Sequence, residues 1–265
     1  MNKTENERKL ARNLPRLTSE NTQHRRKDFL EDSSPRPMCY RCRRPRTDCL
    51  CTQIHPFPTR TRFLLLMHPK EARKQKTGTG RLSHLCLPNS QIITGVDFTE
   101  HPEVNQILKS LDYLPVLLYP GPGSRKISAS EPVIHQDENR PLLTVVLDGT
   151  WTLARKMLKL SRNLQALPRL SLDIPEGSRF HIKQQPHATC LSTIESLYYF
   201  LDVLDKAGVE DCRGHHKNLL DVLKALCRRQ TACTEDPERP GYRKGHSPSG
   251  TRPSVRPQKR KIFFP

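Results

Sequence analysis

Short apolar runs separated by amphipathic stretches fill the middle of the chain, whereas both ends are polar and aperiodic. Arg62-Phe-Leu-Leu-Leu-Met67 is a continuous apolar run followed by His68-Pro69, which predicts a buried strand ending in a loop. Runs of the same kind at Gln91–Thr94, Pro115–Tyr119 ahead of Pro120-Gly121, and Leu142–Leu147 ahead of Asp148-Gly149 predict three more strands. Helices are expected over Gly80–Leu87, Pro102–Leu111, Thr152–Leu160 and Ser192–Lys206, the last two opening on Ser or Thr near a cap position. Strands alternating with helices imply an α/β domain with a largely parallel sheet.

Residues 1–37 mix charges with Ser, Pro and Asn and show no sustained period, so a flexible arm is expected there. From Thr231 to Pro265 the sequence turns to Pro, Gly, Ser and basic residues, which predicts a disordered tail. With only 34% hydrophobic residues and 23 prolines, the core must lie between these ends. The resulting division is an arm (1–37), a cysteine-rich module (38–58), an α/β domain (59–230) and a tail (231–265).

Charge narrows the partners. Lys and Arg number 45 against 27 Asp and Glu, a formal charge of +18 and a pI near 9.8. That balance disfavours small cationic substrates and favours polyanions, of which nucleic acid is the commonest. No run approaches the roughly 20 apolar residues that span a bilayer, and residues 1–30 lack the apolar centre of a secretory signal. A soluble cytoplasmic protein is expected. Nine cysteines, four of them crowded into Cys39–Cys51, are unlike an extracellular disulfide framework and point to reduced thiols with a local metal site.

Cys39-Tyr-Arg-Cys42 followed by Cys49-Leu-Cys51 offers four thiolates in a span able to wrap a tetrahedral Zn²⁺. The second half is C-x-C, so the match to a zinc ribbon is imperfect, and an iron–sulfur cluster or free thiols are the alternatives. Arg41, Arg43, Arg44 and Arg46 are interleaved with these ligands and are expected to present guanidinium groups to phosphate. The bland alternative is a metal staple whose arginines form a solvated face.

Leu147-Asp-Gly-Thr-Trp151 carries the second constellation: an apolar strand ends in a carboxylate, Gly149 permits a tight turn, and Thr150 and Trp151 open a helix. Parallel α/β sheets bind ligands at such strand ends. A carboxylate there holds a cationic ligand or acts as a base, and the sole Trp can stack on a nucleobase. Otherwise Asp148 merely caps the helix and Trp151 belongs to the core.

Asp148-Gly-Thr-Trp151 resembles the D-x-T-W signature of the DTW-domain family, the tRNA-uridine aminocarboxypropyltransferases. The likeness extends to Leu147–Met157, the upstream C-x-x-C, C-x-C cluster, Arg62–Met67 with Thr79-Gly-Arg-Leu82 behind it, Leu118-Tyr-Pro-Gly121, and Cys190-Leu-Ser-Thr-Ile-Glu195. It covers about Cys39 to Leu226, and the bacterial members look nearest. The resemblance implies a SPOUT-like α/β fold with a C-terminal trefoil knot, preceded by a small zinc-ribbon-like module with four cysteine ligands. It implies transfer of the 3-amino-3-carboxypropyl group of S-adenosyl-L-methionine (SAM) to N3 of a uridine in tRNA, leaving methylthioadenosine.

On that footing Asp148, Thr150 and Trp151 are the expected catalytic residues, with Asp148 either the base for N3 or the anchor of SAM's α-amino group. Tyr119, Pro120, Gly121, Leu147, Asp148, Gly149, Leu191, Ser192 and Thr193 are expected to enclose SAM, although Leu191–Glu195 also reads as a capping box on a core helix. Cys39, Cys42, Cys49 and Cys51 would hold structural zinc. Arg41, Arg43, Arg44, Arg46, Arg73, Lys76 and Arg81 would contact RNA. His68 stands in a stretch that gives no ground for a catalytic histidine. A tRNA partner and a monomer with no obligate protein partner are expected. The competing readings are a SPOUT-like tRNA methyltransferase and a zinc-dependent RNA-binding protein without catalysis.

Overall fold

Successive residues of a strand point to opposite faces, and along Phe63–Met67 both alternating sets are apolar, so this strand must be covered on both sides. The computed structural model describes residues 37–74, 78–128, 140–174, 178, 180 and 190–235. In it, strands β1 (Arg62–Met67), β2 (Ser90–Thr94), β3 (Leu114–Leu118), β4 (Arg125–Ile127), β5 (Leu142–Asp148) and β6 (Arg169–Leu172) form one sheet. Their order is β2-β1-β5-β3-β6-β4 and every ladder is parallel. The fully buried β5 lies in the middle, between β1 and β3.

Seven helices accompany the sheet among the described residues: α1 (Pro69–Lys74), α2 (Gly80–Cys86), α3 (Pro102–Leu108), α4 (Trp151–Leu160), α5 (Arg162–Gln165), α6 (Thr193–Lys206) and α7 (Lys217–Glu235). Phe63, Leu65, Leu142 and Val146 share one core with Leu82 and Cys86 of α2, Ile194 and Phe200 of α6, and Leu219 and Leu226 of α7. Leu64, Leu66, Leu143 and Val145 share the other with Val104 of α3, Met157 of α4 and Leu164 of α5. The result is a three-layer α/β arrangement. Each fully buried Leu stabilises it by roughly 1.5–3 kcal/mol.

The cysteine-rich segment packs on the first of these cores through Leu50, Ile54 and Phe57. Phe57 N–H donates to the Cys86 carbonyl at 3.1 Å, and Arg229 Nη1 of α7 donates to the Thr47 carbonyl at 2.9 Å. Asn218 accepts from His55 N–H at 2.9 Å and donates to the Gln53 carbonyl at 3.0 Å. These bonds join the module to α2 and α7.

Several elements differ from the sequence expectation. In place of the loop expected at His68-Pro69, Pro69 starts α1, a position that suits a residue without an N–H and with its φ already helical. The short strands β4 and β6 are additions to the expected set; they carry polar residues, Arg125 and Lys126 in one, Arg169 and Ser171 in the other, and so show no apolar run. Helix α7 continues to Glu235, past the start expected for the tail at Thr231. Residues 1–36 and 236–265, which include nearly all of the expected arm and tail, lie outside the described residues. No described helix is long and apolar enough to cross a membrane.

Candidate active site

The carboxyl ends of parallel strands all point to one edge of the sheet, and the loops leaving them build a cavity of about 490 Å³, within the roughly 300–1,000 Å³ typical of small-molecule sites. Its wall combines three segments: Tyr119, Pro120 and Gly121 after β3, Leu147 to Trp151 at the end of β5, and Leu191 to Thr193 ahead of α6. Every residue expected to enclose SAM therefore lines a single cavity, together with Thr150 and Trp151.

Asp148 ends β5 opposite Met67 of β1, and its carbonyl accepts from His68 N–H at 2.9 Å, so the backbone is still held in the ladder where its side chain leaves. The carboxylate is buried, with 4% of the residue exposed. Thr193 Oγ1, in the first turn of α6, donates to Asp148 Oδ1 at 2.7 Å. Glycine at position 80 is what lets helix α2 begin against this group, since a Cβ there would overlap the Asp148 carboxylate. Thus β5, α2 and α6 converge on one carboxylate, and Asp148 does not serve as a simple helix cap; the N-cap residue of α4 is Thr150.

Tyr119, Trp151 and Phe180 bring aromatic rings to the same cavity. Tyr119 and Trp151 stand 6.1 Å apart between centroids, tilted by 52°, a spacing within the range of attractive ring pairs. Burial is the main influence on the Tyr119 phenol and raises its pKa, so it stays neutral near pH 7. Gly121, with φ of +145°, turns the chain after Pro120 through a conformation that a side chain would strain. Ser124 Oγ donates to the Gly121 carbonyl on the far side of that turn.

The loop ahead of α6 is fixed by a capping box: Ser192 N–H and O–H both donate to Glu195, at 2.9 and 2.6 Å. Ser178 Oγ donates to the same carboxylate at 2.9 Å. The capping box expected over Leu191–Glu195 is thus present, and Leu191, Ser192 and Thr193 of the same segment line the cavity.

In the cysteine module the four sulfurs lie within 4.8 Å of one another. The separations Cys39–Cys51 and Cys42–Cys49 are both 3.7 Å. A tetrahedron of Zn–S bonds of about 2.3 Å requires sulfurs about 3.8 Å apart, so this donor set fits zinc. Backbone N–H groups of Cys42 and Arg41 point at Cys39 and hold its thiol down to about 6. None of the nine cysteines forms a disulfide.

The arginines divide. Arg41, Arg43 and Arg46 are at least partly exposed, but Arg44 is buried, at 7% exposure, and does not present its guanidinium outward as expected. Burial lowers the pKa of its guanidinium, and the nearby Cys42 and Asp48 offset that only in part. Arg73 is not buried, whereas Lys76 lies outside the described residues. Arg81 follows Gly80 and feels the charges of both Arg43 and Asp148, although burial is the larger influence and lowers its pKa. His68 is buried with Nδ1 accepting from Lys70 N–H at 3.1 Å; burial first, then Lys70 and Lys156, keep the ring neutral.

Sequence reasoning missed Glu71, Ser171, Phe180 and Cys190 as parts of the wall, and gave Thr79 no role there. Thr79 and Cys190 stand in stretches singled out by resemblance, and Ser171 belongs to β6, which showed no apolar run. For Glu71 and Phe180 the sequence carried no signal.

Residues 36–231 match the model of the DTW domain. The chain belongs to the DTW-domain family. Among the curated relatives of this DTW-domain chain, a Macaca fascicularis protein named tRNA-uridine aminocarboxypropyltransferase 2 is 30% identical over 204 residues, covering 75% of this chain and 65% of its own length. The Drosophila melanogaster protein of the same name is 30% identical over 202 residues, covering 74% and 75%. In Arabidopsis thaliana, tRNA-uridine aminocarboxypropyltransferase A is 26% identical over 220 residues, covering 74% and 81%. The chain spans slightly less than two thirds of the length of its macaque and mouse relatives, 65% in each. No solved structure matches it.

Proposed function

We propose that this DTW protein is a SAM-dependent tRNA-uridine aminocarboxypropyltransferase acting in the cytoplasm, with the strand-end cavity as its active site. The observation that carries the proposal is the buried Asp148 carboxylate, gripped by Thr193 and closed off by Gly80, in a cavity of substrate size. A cavity lined by the Asp148 and Glu71 carboxylates and an aromatic pair suits a ligand that combines a cationic chain with an adenine ring. Tyr119 to Gly121, Leu147 to Trp151 and Leu191 to Thr193 would hold it.

Bound SAM would supply the electrophile, the methylene carbon of its methionine chain, with methylthioadenosine as leaving group. The chain's own residues must then do two things. One is to remove the N3 proton of uridine, which ionises only well above neutral pH; the other is to align N3 with the carbon. Asp148 is the proposed proton acceptor, while the bond from Thr193 to Oδ1 fixes the plane of the carboxylate. Trp151 and Tyr119 would pack against the rings and exclude water. Arg81, beside Gly80, would take up the SAM carboxylate or a substrate phosphate. In the alternative role Asp148 binds the α-amino group of SAM, and the proton leaves to solvent.

We further propose that the domain is SPOUT-like with a C-terminal trefoil knot, that the four-cysteine module carries structural zinc, and that the protein works as a monomer. Incubation of unmodified tRNA with protein and SAM, followed by mass spectrometry of the nucleosides, tests the activity. Uridine should gain an aminocarboxypropyl group with release of methylthioadenosine. A methyl gain would identify a methyltransferase, and no product together with no SAM binding would leave only an RNA-binding role. Asp148→Asn separates the two roles of the carboxylate: unchanged SAM binding without transfer supports the base, and lost binding supports the anchor.

A further inference from the structure

Tyr40 is 92% exposed, more than any other large apolar side chain of the described residues. A single exposed aromatic ring carries no meaning by itself; the place of this one does. It stands between Cys39 and Cys42, on a turn locked by Arg43 N–H to the Cys39 carbonyl and Cys39 N–H to the Arg44 carbonyl, both 2.7 Å. The ring is therefore held out on a rigid base, and ordering it on a partner costs only two side-chain torsions.

Its flanks are cationic. Arg41 and Arg43 are exposed on the same turn, and Arg46 follows at the start of the next one. Asp48 is the only acidic residue between positions 38 and 58, and its carboxylate lies beside Cys233 of α7. Arg43 has φ of +54°, a left-handed conformation that Gly, Asn and Asp adopt at least cost. Backbone strain of this kind concentrates at binding surfaces, and here it sits beside an exposed ring.

An aromatic face flanked by guanidinium groups fits one kind of partner among those with phosphates. In a duplex the bases are stacked on one another and offer no face; an unpaired base offers a whole one. We propose that Tyr40 is a stacking platform for an unpaired base of the RNA substrate, with Arg41 and Arg43 holding the adjacent phosphates. This rests on the reading that the substrate is RNA, and it assigns the module a recognition role beyond a metal staple.

The test uses the full zinc-loaded chain, an unmodified tRNA transcript and a blunt RNA duplex, with affinities measured over a range of salt. Tyr40→Ala should weaken tRNA binding roughly tenfold, leave the slope of log affinity against log salt unchanged, and leave the melting temperature and SAM affinity as in the wild type. Tyr40→Phe should restore binding. Arg43→Gln should instead reduce the salt slope by about one ion. Equal tRNA affinity for Tyr40→Ala and wild type, an equal loss on the duplex, or no rescue by Phe overturns the proposal alone. Wild-type protein that binds neither RNA overturns it together with the reading on which it rests.

Discussion

The strand-end cavity and the four-cysteine module are built on opposite principles. At the cavity, parallel strands fix the backbone, and Asp148 is buried where β5, α2 and α6 meet. The module has no strand or α-helix of its own among the described residues; two 3₁₀ turns, Arg46–Asp48 and Cys51–Gln53, and four converging sulfurs hold the chain, and Tyr40 stands outward. On the proposed function, chemistry that needs a sub-ångström alignment falls to the sheet, and recognition of a large polyanion to a stapled surface. A substitution should accordingly act on turnover in the first region, and on metal retention and RNA affinity in the second.

The largest effect should come at the carboxylate. Asp148→Asn should lower turnover by about 10³-fold while the melting temperature stays close to wild type, measured by product mass spectrometry and thermal unfolding. Metal loss in the module should act the other way. Cys42→Ser with Cys49→Ser should abolish zinc in elemental analysis and lower the melting temperature, because the metal's binding energy is part of the folding energy of a segment this small. SAM affinity should survive in that variant if the module is a separate device.

Gly80→Ala probes the boundary of the candidate active site. The added methyl would meet the Asp148 carboxylate and force it or α2 to move, and a displacement near 1 Å costs about 10²-fold in turnover. Thr193→Val should have the smallest effect, about tenfold in turnover from the lost hydrogen bond to a charged group, with Thr193→Ser recovering most of it. A general loss of stability would not distinguish Ser from Val in this way.

The two regions also differ in how readable they were. β1 was legible to the residue, because Phe63–Met67 is an unbroken apolar run behind Arg62. Asp148 was legible because a carboxylate ending such a run stands where parallel sheets bind their ligands. What could not be read was convergence: nothing local in Gly80 or Thr193 says that both approach Asp148, and for Thr193 the contact spans 45 positions of sequence. The four cysteines announced their cluster through spacing alone, yet spacing treated Arg41, Arg43, Arg44 and Arg46 alike. Only the folded turn draws Arg44 inward and holds Tyr40 out. Helix α7 was not among the expected helices, although Leu219, Val222, Leu223 and Leu226 stand at helical spacing and pack in one core.

The most direct test is a crystal structure of the protein soaked with SAM or with methylthioadenosine. The nucleoside is expected in the strand-end cavity, against Tyr119 to Gly121, Leu147 to Trp151 and Leu191 to Thr193, with the methionine chain of SAM directed at Asp148. Density for the ligand elsewhere, or an empty cavity at saturating ligand, would contradict the assignment of this cavity as the active site.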